Sequence, residues 1–295
     1  MEAIDVHHLG IERVICAWRV GDVLVDPGPE PGVPTLLEAL GDWRPRALLL
    51  THIHLDHAGA TGALARRWPD VEVYVHERGA PHVVDPSKLL RSAGRLYGED
   101  NMERLWGEVL PVDAARVHAL AGGERLRELA GGIRVAYTPG HASHHVAYLH
   151  EESGRAFVGD VAGVRIPPSD LVIAPTPPPD VDVERWEASL DLIAGWRADS
   201  LGLTHFGAVA EPGAQLEAVR ASLRDLAGLA RRGDADALEN AVRGALERET
   251  DGPATVQAYE AAVPPSHLFL GLERYWRKRD ERAAAAAGEP AGGSR

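Results

Sequence analysis

Through its N-terminal part the chain switches between two hydrophobic periods. Val14–Val20 is apolar and β-branched, and Asp22–Asp26 (DVLVD) alternates up to the turn signal Pro27-Gly28, so both read as strands. Thr35–Leu40 carries a short helical stripe. Ala47–Leu50 is an unbroken apolar run that stops at polar Thr51, the pattern of a buried strand. Gly59–Arg67 predicts a helix, and Val71–Val75 (VEVYV) a further strand. Within Pro86–Leu110, Leu89, Leu90, Leu96, Tyr97, Leu105 and Trp106 recur at helical spacing, predicting one or two helices inserted between strands.

The middle is strand-rich. Gly132–Tyr137 and Val146–His150 read as strands, and the turn Glu152-Ser153-Gly154 leads into a third, Arg155–Val158. The Pro-rich stretch Ile166–Asp180 is too rigid and donor-poor for a central strand. Val183–Trp196 is an amphipathic helix with Trp186, Leu190, Ile193 and Ala194 on one face, and Ser200–Leu203 a short strand ending at Thr204-His205. From Glu211 the pattern is helical only. Ser266 is a candidate cap for a helix whose apolar face is Leu268, Phe269, Leu272, Tyr275 and Trp276. The tail from Ala283 is expected to fray. The chain therefore divides into residues 1–210, mixed α/β, and a helical extension, 211–295. Strands on both sides of helices predict two sheets packed face to face with helices outside.

Composition narrows the function. With 295 residues the chain can bury about 75% of its unfolded-state surface, so a core needs no disulfide or metal staple. The single cysteine, Cys16, excludes an internal disulfide and a multi-cysteine zinc site. No apolar run reaches the ~18 residues of a membrane helix, and MEAIDVHHLG has neither the basic nor the apolar region of a signal peptide, so the cytoplasm is the expected compartment. A net charge of −13 disfavours a nucleic-acid partner. Basic residues are almost all Arg, with Lys88 and Lys278 the two lysines. Histidine, at 14, is the informative excess.

The sharpest signal is Thr51-His52-Ile53-His54-Leu55-Asp56-His57, between a buried strand and a helix. His52 and His54 are two apart, so in extended chain they point the same way. Asp56 and His57 follow the bend and can face a second point nearby. One metal could not easily take all four side chains from so short a segment, whereas two adjacent metals could.

This HxHxDH pattern resembles the signature of the metallo-β-lactamase fold superfamily. The resemblance implies further ligands at later strand ends, and Thr138-Pro139-Gly140-His141, Gly159-Asp160 and Thr204-His205-Phe206-Gly207 supply them. Asp26, in Asp26-Pro27-Gly28, matches the superfamily's early buried aspartate, which supports the histidine loop. The resemblance covers roughly residues 1–210. It implies a four-layer αβ/βα sandwich with, here, a helical C-terminal extension. It also implies a binuclear site: His52, His54 and His141 on one metal, Asp56, His57 and His205 on the other, and Asp160 bridging. Asp56 and Asp160 would be the catalytic carboxylates, beside a metal-bridging hydroxide that attacks an electrophilic carbonyl or phosphorus. Zinc is the default ion, with iron and manganese compatible with the same donors.

The expected activity is hydrolysis of a small acyl substrate: a thioester, a lactone or a related ester. The helical C-terminal addition resembles that of hydroxyacylglutathione hydrolase (glyoxalase II), where basic residues hold an anionic thiol; Arg277-Lys278-Arg279 is the matching cluster. N-acyl homoserine lactonases are equally compatible in ligand set. Two alternatives use the same motif: a phosphodiesterase or RNase, and a mononuclear iron persulfide dioxygenase that would leave His57 and His205 unused. Candidate substrate-binding residues are His145, Tyr97, Tyr275 and Trp276, and His267 could line a pocket. His76 reads as structural; His7, His8, His82, His118 and His150 read as surface or packed residues. Oligomeric state cannot be read from the sequence.

Overall fold

The structure is a computed structural model that describes residues 1–288. The first six strands are β1 (Glu2–Asp5), β2 (Cys16–Val20), β3 (Val23–Val25), β4 (Ala47–Leu49), β5 (Glu72–His76) and β6 (Val117–Leu120). They form one sheet in that order, antiparallel from β1 to β3 and parallel from β3 to β6. The second sheet uses β7 (Arg125–Leu126), β8 (Ile133–Tyr137), β9 (Val146–His150), β10 (Arg155–Phe157), β11 (Ser200–Leu203) and β12 (Gly207–Val209). It too follows chain order, with β10 and β11 its one parallel pair.

Alternation along each strand sorts side chains onto two faces. Trp18, Val23, Val25, Leu49, Tyr148 and Phe157 point between the sheets and form one buried cluster. Trp18 meets Phe157 edge to face across the gap, ring centroids 5.4 Å apart, and its Nε1 donates to Leu203 O at 3.0 Å. The opposite faces pack on helices. Leu24, Leu48 and Val73 bury against Leu36 of α1 (Val33–Leu40) and Leu64. Leu64 belongs to α3 (Thr61–Arg67), which the four-residue α2 (Leu55–Ala58) precedes. Over the second sheet, Leu149, Ala156 and Leu201 join Trp186 and Leu190 of α7 (Val183–Gly195) in the same cluster. Helix, sheet, sheet, helix is thus the layer order.

Between β5 and β6 lie α4 (Ala80–Val84), α5 (Ser87–Tyr97) and α6 (Glu99–Trp106), and between β10 and β11 lies α7 (Val183–Gly195). The tail comprises α8 (Pro212–Arg231), α9 (Ala235–Glu249), α10 (Pro253–Ala262) and α11 (Pro265–Gly288). Asp182 and Asp234 cap α7 and α9 by accepting from Arg185 N and Ala237 N. Leu216, Val219 and Leu223 of α8 and Leu268 and Leu272 of α11 belong to the buried cluster under the second sheet. No described helix is long and apolar enough to cross a membrane.

Several expectations change. β1, β6, β7 and β12 were not foreseen: β7 has two residues and β6 (VHAL) is too polar to alternate clearly. Ser266 does not cap α11, because the helix already starts at Pro265, whose fixed φ suits a first turn. The expected fraying from Ala283 gives way to helix up to Gly288, in keeping with alanine's propensity; the remaining seven residues lie outside the described part.

Candidate metal centre

Every candidate ligand sits just past a strand. Thr51 follows β4 and opens the histidine loop, His141 lies four residues beyond β8, Asp160 follows β10, and His205 follows β11. Both sheets present these ends at one edge of the sandwich. The loop before His141 needs its glycine: Gly140 has φ +141°, and a Cβ there would meet Trp186 Cα at 2.3 Å.

Seven side chains converge in two groups, His52–His54–His141–Asp160 and Asp56–His57–His205, the ligand atoms within each lying within 4.8 Å of one another. Their tautomers follow from their outer partners. His57 Nδ1 faces Asp26 Oδ2 at 2.8 Å, and a carboxylate only accepts, so Nδ1 carries the proton. His141 Nδ1 donates to Pro175 O at 2.9 Å, and His205 Nδ1 to Val14 O at 2.6 Å. Thr51 Oγ1 gives its proton to Asp26 at 2.7 Å and so accepts from His52 Nδ1 at 3.1 Å. Four imidazoles therefore turn a bare Nε2 inward, and His54 turns its Nδ1.

The inward atoms crowd. His54 Nδ1 lies 3.0 Å from both His52 Nε2 and His141 Nε2. Lone pairs this close repel unless a cation lies between them. A tetrahedral ion with bonds of about 2.0–2.1 Å sets its ligands roughly 3.3 Å apart, close to this spacing. Asp160 reaches both groups, with Oδ2 3.3 Å from His141 Nε2 and Oδ1 3.1 Å from His57 Nε2. Asp56 Oδ2 stands 3.3 Å from His205 Nε2 and 3.9 Å from His57 Nε2. His57 Nε2, His205 Nε2 and Asp160 Oδ1 are buried and make no hydrogen bond among the described residues. The donor set thus fits two divalent cations.

Electrostatics agree. Burial pushes Asp56 and Asp160 up, but His57 and His205 outweigh it and hold both well below the usual carboxylate range. Burial opposes charge on His57, yet Asp160, Asp56 and Asp26 raise it well above an ordinary imidazole; His205 is raised in the same way. Positive charge is therefore favoured between the carboxylates. On the other side, burial and neighbouring imidazoles lower His52 well below its ordinary value and His54 to about 4, leaving both neutral donors.

Asp26 organises the loop from behind. It is fully buried, with φ +46°, and accepts from Thr51 N, Thr51 Oγ1, Thr204 Oγ1 and His57 Nδ1. His145 is also fully buried, donating or accepting at Thr138 Oγ1 and stacked on His52, 5.1 Å between centroids. That places it behind the donors, away from a substrate position.

Beside His54 opens a cavity of about 670 Å³ between the α4–α5 insertion, Pro177–Asp180 and α11. Tyr97 lines it and contacts His267 edge to face at 5.1 Å. Tyr275 and Trp276 do not line it, although Tyr275 borders a neighbouring cleft. Tyr275 OH donates to Glu184 Oε2 at 2.7 Å, and Trp276 Nε1 donates to Ala227 O of α8 at 2.9 Å. The aromatic face of α11 packs inward, and Leu270, Glu273, Arg274 and Arg277 from another face meet the cavity. His8 is packed, one of the two placements expected for it. It is 3% exposed, stacked on Trp106 at 5.5 Å, and lowered to about 4 by burial, so it is packed and neutral next to the site. A histidine flanked by two residues with positive φ, His7 and Leu9, leaves no periodic trace in a sequence.

Comparisons with known proteins agree with this geometry. The profile of the metallo-beta-lactamase superfamily matches residues 21–205. A hydroxyacylglutathione hydrolase of Xanthomonas euvesicatoria is 33% identical over 138 residues, covering 47% of this chain and 40% of that enzyme's length. The crystal structure of the superfamily protein ST1585 from Sulfolobus tokodaii shares the fold, with a TM-score of 0.68 at 23% identity over 92% of this chain and 97% of that one. TTHA1623, crystallised in a di-iron-bound form, aligns at 27% identity and a TM-score of 0.51 over 70% of this chain and 93% of that one.

Proposed function

The chain belongs to the metallo-β-lactamase superfamily, and from that premise we propose that it is a binuclear, zinc-dependent hydrolase of a small acyl substrate, a thioester, lactone or related ester. The observation that carries this reading is the pair of donor groups joined by Asp160. His52, His54 and His141 would hold one ion, Asp56, His57 and His205 the other, and Asp160 would give one oxygen to each. Bound there, such ions supply Lewis acidity and bring the pKa of a coordinated water from ~15.7 toward about 7.

The chain's own residues do the rest. Asp26 and the carbonyls of Pro175 and Val14 fix the imidazole tautomers, so the donors need not reorient. Asp56 is ionised, and its side chain is 20% exposed beside His57 and His205, so it can take a proton in transit from the attacking water to the leaving group. Ile53, Leu55, Leu89, Leu96 and Tyr97 give the cavity an apolar wall for an acyl chain. The second group argues against a mononuclear dioxygenase, which would leave two buried Nε2 atoms without a partner.

The deciding experiment is elemental analysis of active protein combined with a panel of thioesters, lactones, phosphodiesters and β-lactams. About two ions per chain are expected, with carbonyl ester hydrolysis lost on chelation and restored by zinc. One tightly bound ion at full activity, or a phosphodiester turned over faster than every carbonyl ester, overturns the reading.

A further inference from the structure

Building on the hydrolase reading, we infer that the leaving group of the substrate is a thiol carrier bearing several phosphates, held along a cationic track that runs from the cavity mouth down α11. The cavity beside His54 is lined by five cations, Arg78, Lys88, Arg95, Arg274 and Arg277, against two carboxylates, Asp180 and Glu273. A second cleft of about 570 Å³ adjoins it and shares Arg78, Ser143 and Asp180. Arg185, Lys278, Arg279 and Arg282 line that cleft, opposite Asp182 and Glu184. In a chain of net charge −13, both lysines and a run of arginines thus face two connected hollows.

Neighbouring carboxylates do not account for them. Arg279 is committed to Glu184 at 3.0 Å and Arg185 to Asp182 at 3.7 Å. No carboxylate among the described residues lies within 4.0 Å of Arg78, Lys88, Arg95, Arg277, Lys278 or Arg282. Asp180, the carboxylate common to both hollows, already accepts from Ser143 N and Oγ. Arg274, Lys278 and Arg282 recur at i, i+4 and i+8 on α11, where like charges cost helix stability. Arg274 Nε donates to Pro179 O at 3.1 Å, which gives that position a structural role; no comparable bond holds Lys278 or Arg282 among the described residues, whereas an anion lying along the stripe would.

The dimensions select the anion. Arg274 to Arg282 spans eight residues, about 12 Å of helix axis. A single carboxylate at the mouth would leave most of that length unused. Phosphates spaced along an extended carrier would engage the mouth and the second cleft together, and the arginine fork suits phosphate oxygens. The apolar wall by His54 then takes the acyl group. Hydrolysis adds water across the carbonyl carbon–sulfur bond: the oxygen leaves with the acid, and the carrier leaves as a thiol carrying the proton.

The test compares one acyl group on two carriers, coenzyme A and N-acetylcysteamine, which keeps the thioester and lacks phosphates, using zinc-loaded protein. We expect kcat/KM to favour the coenzyme A ester by about tenfold or more, mostly through KM, with the preference shrinking in about 0.5 M NaCl. Arg277→Glu and Lys278→Glu should each reduce the preference to about threefold or less, and Lys278→Arg should keep it. Calorimetric titration with 3′,5′-ADP reads the track without turnover, and the same Glu variants should weaken that binding by about tenfold while their far-UV circular dichroism is retained. Equal kcat/KM on the two carriers overturns the phosphate-carrier inference and leaves the hydrolase reading standing. Failure to hydrolyse either thioester, or faster cleavage of an RNA oligonucleotide, overturns both.

Discussion

Asp26 Oδ2 lies 2.8 Å from His57 Nδ1, and the same oxygen accepts from Thr51 Oγ1 at 2.7 Å and Thr204 Oγ1 at 2.8 Å. One buried carboxylate thus sets the proton of a proposed ligand and ties down the residues preceding two others, His52 and His205. Asp26→Asn keeps the volume, and asparagine tolerates the positive φ, so backbone strain does not confound the result. The amide cannot serve three donors as a carboxylate does. The variant should lose about 1–3 kcal/mol of stability in urea unfolding and about 10–100-fold in affinity for one of two zinc ions in a competition titration. Undiminished affinity for both ions would mean that Asp26 supports the fold alone.

Trp276 packs on α8 and lies outside the cavity, with Arg231 and Arg279 over its ring at 4.6 and 5.0 Å. Trp276→Ala should therefore cost roughly 2 kcal/mol, below the ~3–5 of a fully buried tryptophan. KM for accepted substrates should stay at the wild-type value in folded protein. Arg274→Ala, two residues along α11 on the face that meets the mouth, should instead raise KM. A raised KM in Trp276→Ala at full metal content would move the aromatic face back to the site.

His8 stays neutral in the fold down to about pH 4, whereas in the unfolded chain it protonates below its ordinary 6.5. The unfolded state therefore binds the extra proton as pH falls through this window. Stability from this group is complete above pH 6.5 and is lost progressively toward pH 4, by at most about 3 kcal/mol. His8→Gln cannot titrate, so the gap between its urea midpoint and that of the wild type should change between pH 6.5 and 4 and stay constant above. Parallel curves throughout would refute the assignment.

Cys16 is fully buried in the inter-sheet cluster, and burial raises its thiol well above the ordinary range. Iodoacetamide at pH 8 should alkylate native protein on the order of 100-fold more slowly than denatured protein, read by intact mass. Ready labelling without unfolding would show that the sheets part more easily than their packing implies.

The histidine loop was legible because its residues are local: spacing alone places His52, His54, Asp56 and His57 past one buried strand. His141, Asp160 and His205 were legible through the family resemblance, which implies ligands at later strand ends, and the structure brings all three to that loop. The mouth was legible in outline: the Pro86–Leu110 insertion, the Pro-rich stretch and the late helices are segments expected around the metals, and all three line the cavity. Its charges were not, because Arg78, Lys88 and Arg277 come from segments far apart in sequence and no local pattern records which of their side chains meet across a hollow. The apolar stripe of α11 was read correctly as buried, but a stripe does not name its partners, which are α8 and α9. His150 shows the same limit: an isolated histidine ending a strand, it is held by Ser153 Oγ and Ala130 O, neither of them suggested by its neighbours' pattern.

The mouth assembled from α5, the Pro177–Asp180 stretch and α11 has one further consequence. The reacting centre hangs from strand ends inside the sandwich, whereas the cations around the hollow, apart from Arg78 just past β5, sit on a collar added outside it. Arg95, Arg277 and Arg282 can be exchanged without touching an imidazole or its outer partner. A lineage could therefore change what it feeds on by rewriting the collar's charges, one exposed side chain at a time, while its hydrolytic chemistry stays intact.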